Sequence, residues 1–501
     1  MLIGTSHYSG GHEMRWMRGL CVVFLAMAAA VSSARAEPVE LKVMAFNIWR
    51  SGVQLSLAQV VTAIKAANPD VVALQEPEGN SRKIADMLGW SYVDERVHVI
   101  SRVPLFYGEQ DGTGFVYVEA AHGRVVALGN LHLPSDSYGP EAVRDGKPLA
   151  EVLQLEADNR MYALEPFAAA LPKVAAKGVP TILVGDFNSP SHLDWTQDVA
   201  NVRPAVKYPV VWPESKLMAD NGFIDSYRAV HPDPIAKPGF TWTPGYPYPF
   251  VRPQETHDRI DYIYAIGAKA VKSEIVGEPK NPDVDIVVMP WPADHRALVT
   301  TFDVDAAPTP DLVAVEPRLV APGGIFVIRV ATQKQEVLGV IGVYPAGAKE
   351  GDAAITSVPC DPADHLAAPF GTARLQPGEY LAAVTDADGK RLASAPFWVV
   401  DPGARPQVAL ANKSVKSGDP VEVSWKAAPG NKFDWIGIYN ADDPDLYNYL
   451  GYLYTNATVD GTTTFKTEDF GDALPPGEYE ARLMRDDAYV ELAIAKFTVT
   501  K

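Results

Sequence analysis

The stretch Thr181-Ile182-Leu183-Val184-Gly185-Asp186-Phe187-Asn188-Ser189-Pro190 decides how this chain is read. Four residues of strand-forming character run into a carboxylate and a carboxamide two positions apart. Side chains in a β-strand alternate between faces, so Asp186 and Asn188 share one face while Phe187 points to the other. The carboxylate can hold a cation or a water, and the amide can donate to a phosphate oxygen. Gly-Asp-x-Asn equally suits a turn that caps a following helix, so its meaning depends on what surrounds it.

The arrangement recurs between residues 41 and 299. The apolar run 41–46 ends in Asn47, and 71–74 ends in Gln75-Glu76. The run 125–129 leads to Asn130 and His132, again two apart. Asp261 sits inside the strand-like 260–264, just after Asp258 and Arg259, and Asp294-His295-Arg296 precedes the apolar 297–299. Strands tipped repeatedly with acid, amide and imidazole predict polar groups converging at one edge of a sheet. Helical periodicity appears at 57–64 and at 153–171, so helices and strands alternate in this segment.

Phe46-Asn47-Ile48-Trp49, Gln75-Glu76, Ile100-Ser101-Arg102-Val103-Pro104, Asn130-Leu131-His132-Leu133, Gly185-Asp186-Phe187-Asn188, Arg259-Ile260-Asp261-Tyr262 and Asp294-His295-Arg296 stand in that order. Together, over Glu40 to Asp303, they resemble the endonuclease/exonuclease/phosphatase superfamily, which includes deoxyribonuclease I, abasic-site endonucleases, neutral sphingomyelinases and inositol polyphosphate 5-phosphatases. The resemblance implies an α+β fold of the deoxyribonuclease I type. This is a four-layer α/β-β/α sandwich, two mixed sheets face to face with helices outside and the active site at one edge.

Cleaving a phosphate ester requires a cation on the phosphate, an activated water in line with the leaving group, and donors for the growing negative charge. Glu76, an acid at the end of a buried strand, reads as the metal ligand, with an ion pair to Arg or Lys as the alternative. Asn47 is its neutral partner or a turn residue. The resemblance makes Asp294 a second acidic group near the metal. His295 is expected to contact the scissile phosphate, with Asp261 accepting from its other ring nitrogen. Asp186 is expected to orient the attacking water, Asn188 to contact a phosphate oxygen, and His132 to donate to another oxygen or to the leaving group. Which histidine is acid and which is base stays open. Substrate contacts are expected from Asn130, from Asp136 and Tyr138 in the loop after His132, and from Trp242 in a Pro-aromatic loop at 240–250. That loop reads equally well as a stiff surface segment.

Beyond Asp303 the texture changes to short alternating strands and Gly/Pro/Asp turns. An internal repeat is visible: Val320-Ala321-Pro322-Gly323 matches Val415-Lys416-Ser417-Gly418, Ile341-Gly342-Val343-Tyr344 matches Ile436-Gly437-Ile438-Tyr439, and Pro377-Gly378-Glu379-Tyr380 matches Pro476-Gly477-Glu478-Tyr479. Two all-β copies of about a hundred residues suggest tandem immunoglobulin-like sandwiches. The expected domains are a signal peptide at 1–36, a catalytic domain at 37–305, and β-sandwich domains at 311–401 and 405–501. Alternating tyrosines at 447, 449, 452 and 454 read as sandwich packing rather than as a sugar-binding platform.

Arg15 and Arg18, an apolar run at 20–31 and Ala34-Arg35-Ala36 read as a secretory signal peptide, which makes the protein exported, either periplasmic or secreted. The apolar run is too short for a membrane anchor, so no transmembrane segment is expected in the mature chain. Of the two cysteines, Cys21 would leave with the signal peptide. Cys360 would then have no partner for an internal disulfide, and large cores must stabilise the chain. The net charge is −18. Removing residues 1–36 takes away three arginines and one glutamate, leaving −20. A strongly acidic chain is repelled by a polyanionic backbone unless a local basic groove offsets it.

The sequence therefore points to a metal-dependent phosphoric ester hydrolase. Mg²⁺ is the expected cofactor, with Mn²⁺ or Ca²⁺ as alternatives. A phosphodiesterase acting on a small phosphorylated molecule or lipid headgroup is favoured. The alternatives are an extracellular nuclease, a sugar or inositol phosphomonoesterase, and a non-enzymatic adhesion or binding protein with a silent nuclease-like domain.

Overall fold

A computed structural model describes residues 37–360, 366–486 and 488–501. The expected signal peptide lies outside them. Among the described residues no helix is long and apolar enough to cross a membrane.

The first part of the chain is built on strands β1 (Val39–Asn47), β2 (Val71–Gln75), β3 (Tyr92–Asp94), β4 (Val99–Ser101), β5 (Leu105–Gln110), β6 (Thr113–Ala121), β7 (Arg124–His132), β8 (Thr181–Asp186), β9 (Ile224–Asp225), β10 (Asp261–Ile266), β11 (Ala268–Gly277), β12 (Val284–Val287) and β13 (Ala297–Val304). They form two sheets, one in the order β12-β11-β13-β1-β2-β4-β3 and the other β5-β6-β7-β8-β10-β9, to which the short segment Ala307–Pro308 adds a seventh strand on β7. Both are mixed: β1 is parallel to β2 and antiparallel to β13, and β8 is parallel to β7 and antiparallel to β10.

Alternation along the strands sorts the side chains into layers. Val43 and Ala45 of β1, Val71 and Ala73 of β2, Val126 and Leu128 of β7, Ile182 and Val184 of β8, and Ile263 of β10 form one core between the sheets. Met44 and Phe46 face the other way, against the helix Leu57–Ala67. Leu183, Phe187, Tyr262 and Tyr264 face the helix Tyr162–Ala176. This is the four-layer α/β-β/α sandwich. The helix beginning at Leu57 is started by the Ser56 hydroxyl, which accepts from the Gln59 amide, and ends at Asn68 in a left-handed conformation.

The same alternation places the site. The inner-face rows end in polar residues at one edge: β1 in Asn47, β2 in Gln75, β7 in His132 and β8 in Asp186. Because β10 and β13 run antiparallel to their neighbours, their beginnings reach that same edge, and Asp261 pairs directly with Asp186.

Each C-terminal repeat is a two-sheet β-sandwich. In the first, the three-stranded sheet Leu312–Glu316, Ile325–Ala331 and Ala367–Gly371 shares a core with a five-stranded sheet built around Leu338–Pro345, Gly378–Asp386 and Arg391–Val399. In the second, Gln407–Leu410, Val421–Lys426 and Gly461–Phe465 pack on a five-stranded sheet built around Trp435–Asn440, Gly477–Met484 and Glu491–Thr500. Strand orders match between the copies. The repeated Pro-Gly-Glu-Tyr has a structural reason: the hydroxyls of Tyr380 and Tyr479 donate to the carbonyls of Gln376 and Pro475, four residues upstream. Tyr452 and Tyr454 do not enter the core between the sheets. With Tyr439 they pack beside Trp435 on the outer face of the five-stranded sheet.

Candidate active site

Four carboxylates, an amide and two imidazoles meet at the open edge between the sheets. Asn47 is fully buried, and its Nδ2 donates to Glu76 Oε1 and to Asp186 Oδ2, each at 3.0 Å. Its Oδ1 accepts from the Trp49 amide at 3.0 Å, which fixes the amide's orientation. Glu76 follows β2 in a left-handed conformation at φ 53°. A bulky residue is strained there, and such strain collects at functional sites. The turn at Trp49-Arg50-Ser51, also left-handed, holds it: the Arg50 amide donates to Glu76 Oε2 at 2.7 Å and the Ser51 amide to the Glu76 carbonyl at 2.9 Å.

Asp186 Oδ2 is the centre of the group. Besides Asn47, the Nε2 atoms of His132 and His295 each lie 3.6 Å from it. Its Oδ1 accepts from the Asn188 amide at 2.8 Å. Asn188 itself is left-handed, φ 47°, and its Nδ2 donates to the Leu133 carbonyl at 2.9 Å. Asp261 Oδ2 is 2.9 Å from His295 Nδ1, so that nitrogen carries the proton and donates. Burial alone would lower the pKa of His295. Asp261 and then Asp186 outweigh it and hold the imidazole well above its ordinary value. Burial is also the main reason the Asp261 carboxyl is raised, opposed by His295 and reinforced by Asp186.

Asp294, beside His295, is pushed up to about 7, first by burial and then by Glu76 and Asp186, against the pull of His295. Its Oδ1 is buried with no hydrogen-bond partner, as is Asp261 Oδ1. Carboxylate oxygens that repel one another, with two left unsatisfied, fit a hard divalent cation. Ligand atoms of Asp186, Asp261 and His295 also lie within 4.8 Å of one another. There a cation would compete with the proton that Asp261 and Asp186 hold on His295, whereas Glu76, Asn47 and Asp294 could hold one without displacing that proton.

The site's mouth joins β7 to the Pro-aromatic loop. The Tyr138 hydroxyl donates to Asp258 Oδ2 at 3.1 Å, and its ring meets Trp242 edge to face at 5.5 Å. Trp242 pairs through its backbone with both Asp258 and His295. The loop is thus fixed to the catalytic edge rather than packed on itself alone. The Asp136 side chain is exposed, and its carbonyl accepts from Arg160, a buried arginine paired with Glu156.

Asn130 is a correction. It lies one alternation deeper than His132, is 1% exposed and is fully engaged by protein. Its Nδ2 donates to the carbonyls of Leu74 and Val97, and its Oδ1 accepts from Gln75. It staples the two sheets together under the site and is not open to substrate. Sequence reading also missed Thr241, whose hydroxyl accepts from the amides of Ile260 and Asp261 and so sets the start of β10. Asp258, which the sequence places only as a neighbour of Asp261, is the hub for Tyr138, Trp195 and Arg203.

The profile of the Endonuclease/Exonuclease/phosphatase family matches residues 44–295, which takes in every group above from Asn47 to His295. The chain belongs to the Endonuclease/Exonuclease/phosphatase family. Members of this family are hydrolases acting on phosphoester bonds and typically use a divalent metal. An uncharacterised protein of Caenorhabditis elegans is 30% identical over 276 residues, 50% of this chain and 85% of the relative. Among solved structures, a family member from Beutenbergia cavernae is 18% identical, with a TM-score of 0.33 over 72% of this chain and 100% of its own. A 3'-5' exonuclease from Neisseria meningitidis is 18% identical, with a TM-score of 0.34 over 52% and 100%. A mannosyl-6-phosphatase from Bacteroides thetaiotaomicron is 13% identical, with a TM-score of 0.26 over 52% and 99%.

Proposed function

We propose that this family member is an exported, metal-dependent phosphodiesterase that hydrolyses a small-molecule or lipid-headgroup diester by in-line attack of water. The observation that carries this reading is the position of Asp186 Oδ2 between Asn47 and two imidazole nitrogens, with Glu76 on the other side of the same amide. Glu76, with Asn47 and Asp294 beside it, would hold a divalent cation, which when bound would supply charge neutralisation and Lewis-acid polarisation of the phosphate.

Asp186 is the acceptor nearest the Nε2 atoms of both histidines and orients the water. His295 is held protonated by Asp261 and Asp186, so it serves as a donor to the phosphate rather than as a base. His132, at the end of β7, donates to a second oxygen or to the leaving group. Tyr138 and Trp242 form one wall for the alcohol portion of the substrate. The charge balance favours a small substrate over nucleic acid. The chain carries −18, and Arg160, Arg203, Arg228, Arg259 and Arg296 are all spent on internal carboxylates.

The test is a panel of bis-p-nitrophenyl phosphate, p-nitrophenyl phosphate, sphingomyelin and plasmid DNA, with Mg²⁺, Mn²⁺ or Ca²⁺ and with EDTA. Diester turnover abolished by EDTA and restored by one of the cations is expected. Full activity in EDTA would overturn the metal assignment. Preferential DNA cleavage with a steep salt dependence would replace the small-diester reading with a nuclease.

A further inference from the structure

A second buried polar knot lies where the last β-sandwich meets the catalytic layers. Asp486, just past the strand Gly477–Met484, is 1% exposed. Its Oδ2 accepts from the Gly79 amide at 2.6 Å, and its Oδ1 is 2.8 Å from His98 Nε2. Asp434 in turn accepts from the Asp486 amide at 2.9 Å, which fixes the carboxylate's own loop. Nearby, Lys432 Nζ donates to the Asn130 carbonyl at 2.7 Å, and the Lys432 amide donates to the Glu95 carbonyl at 3.1 Å.

These contacts fall on the segments that carry the site. Gly79 is three residues after Glu76, in a loop where Glu76, Glu78 and Gly79 all have positive φ. The His98 carbonyl accepts from the Leu74 amide, one turn of strand below Glu76. Asn130 is two residues before His132. A loop held in a left-handed conformation relaxes unless both ends are fixed. One side of 76–80 is fixed by the turn at 49–51, through the Arg50 and Ser51 amides and through Asn80 Nδ2 on the Ser51 carbonyl. The other side is fixed by Asp486, a residue of the second repeat.

We infer that Asp486 is a positioning residue for Glu76, which makes the second sandwich part of the frame of the active site rather than a tethered accessory. This rests on the reading of Glu76 as a cation ligand. A module that only delivered the enzyme to a surface would need no buried carboxylate on the backbone of the ligand-bearing loop. Groups hydrogen-bonded directly to a metal ligand typically change affinity 10- to 100-fold when removed, and Asp486 acts one step further out, through the Gly79 amide.

The test uses the full chain, stripped of metal, with Mn²⁺ as the probe. Mn²⁺ affinity is measured by calorimetry and the exposure of 76–84 by hydrogen–deuterium exchange, for wild type, Asp486→Ala, Asp486→Asn, His98→Gln, Glu76→Ala and Tyr479→Phe. Asp486→Ala is expected to weaken Mn²⁺ binding by up to about 10-fold, the low end of the range for direct partners of a ligand, and to speed exchange in 76–84. Asp486→Asn and His98→Gln should fall between it and wild type, and they carry the test if the alanine variant does not fold. Tyr479→Phe loosens the same sandwich away from the contact and should leave Mn²⁺ affinity unchanged. Folded Asp486 variants that bind Mn²⁺ as wild type does overturn this inference alone. A wild type that binds no Mn²⁺, or binds it equally well without Glu76, overturns the metal reading and this inference with it.

Discussion

Two of the buried charge clusters in the catalytic layers differ in their balance. Arg259 donates to both oxygens of Asp225 and to Asp194, and Arg228 completes the set on Asp194. Two guanidiniums thus meet two carboxylates, and their polar atoms are mutually spent. At the sheet edge, Glu76, Asp186, Asp261 and Asp294 face a single strongly held imidazolium, and buried oxygens of Asp261 and Asp294 are left over. Burying charge is costly unless it is paired. A balanced cluster is scaffold. An unbalanced one persists because something else completes it, and unsatisfied acids at the mouth of a cleft mark where chemistry is done.

The comparison predicts opposite responses to mutation. Glu76→Ala and His295→Ala should each lower diester turnover by about 10³-fold or more, in the range expected for losing a positioned ligand or proton donor, while the thermal midpoint of Glu76→Ala, which relieves repulsion among the acids, stays within a few degrees of wild type. Asp194→Ala should do the reverse. It removes the carboxylate that two buried guanidiniums share, leaving Arg259 on Asp225 and Arg228 on backbone carbonyls, and should cost about 3–5 kcal/mol of stability, read from denaturant melts, with turnover per folded molecule little changed. If Glu76→Ala unfolds the protein and Asp194→Ala only inactivates it, the two clusters have been assigned the wrong way round.

Asp294 sharpens the contrast through pH. Its carboxyl is raised from 3.8 to about 7 in the folded, metal-free chain, chiefly by burial and then by Glu76. Between those values the folded state holds a proton that the unfolded state has released. Its contribution to stability is therefore complete below about pH 4 and is lost as pH rises through about 7, at up to about 1.4 kcal/mol per pH unit. In EDTA, wild type should lose stability relative to Asp294→Asn on going from pH 5 to pH 8. Saturating Mn²⁺ should reverse the trend, because the cation binds the carboxylate form. Parallel melting curves for the two proteins at all pH values would show that the Asp294 carboxyl is not raised in the folded chain.

Much of this was legible in the sequence because β-strands have a strict two-residue period. Once 181–184 was read as a strand, Asp186 had to point inward and Phe187 outward, and the tips of β1, β2 and β7 followed by the same rule. The period gives the face but not the depth. Asn130 shares a face with His132, yet two residues place it about 6–7 Å further into the sandwich, where an amide is used to join sheets. Nor does it give pairing: that Asp261 sits opposite Asp186 depends on the antiparallel register of β10, set in part by the Thr241 hydroxyl. Asp486 and Lys432 were out of reach altogether. They lie in a repeat that reads as an independent sandwich, some 400 and 300 residues from Gly79 and Asn130, and no local pattern marks such contacts.

The smallest expected effect concerns the rim between the clusters. Asp258 is buried and takes donors from Trp195, Arg203 and Tyr138, so it resembles the balanced network more than the site. Yet the Tyr138 ring also touches Trp242, whose backbone pairs with His295. Tyr138→Phe removes one hydroxyl and keeps the ring. Asp258 retains two donors, so stability should fall by only about 1 kcal/mol. If the rim is substrate wall, the phenyl ring still lines it, and KM for a bulky diester should rise a fewfold with kcat nearly unchanged. Tyr138→Ala should raise KM further by opening the contact to Trp242. Equal kinetics for all three proteins on both small and bulky diesters would place Tyr138 in the scaffold with Asp194 and Asp225, and would move the boundary of the functional cluster inward to the edge formed by His132 and His295.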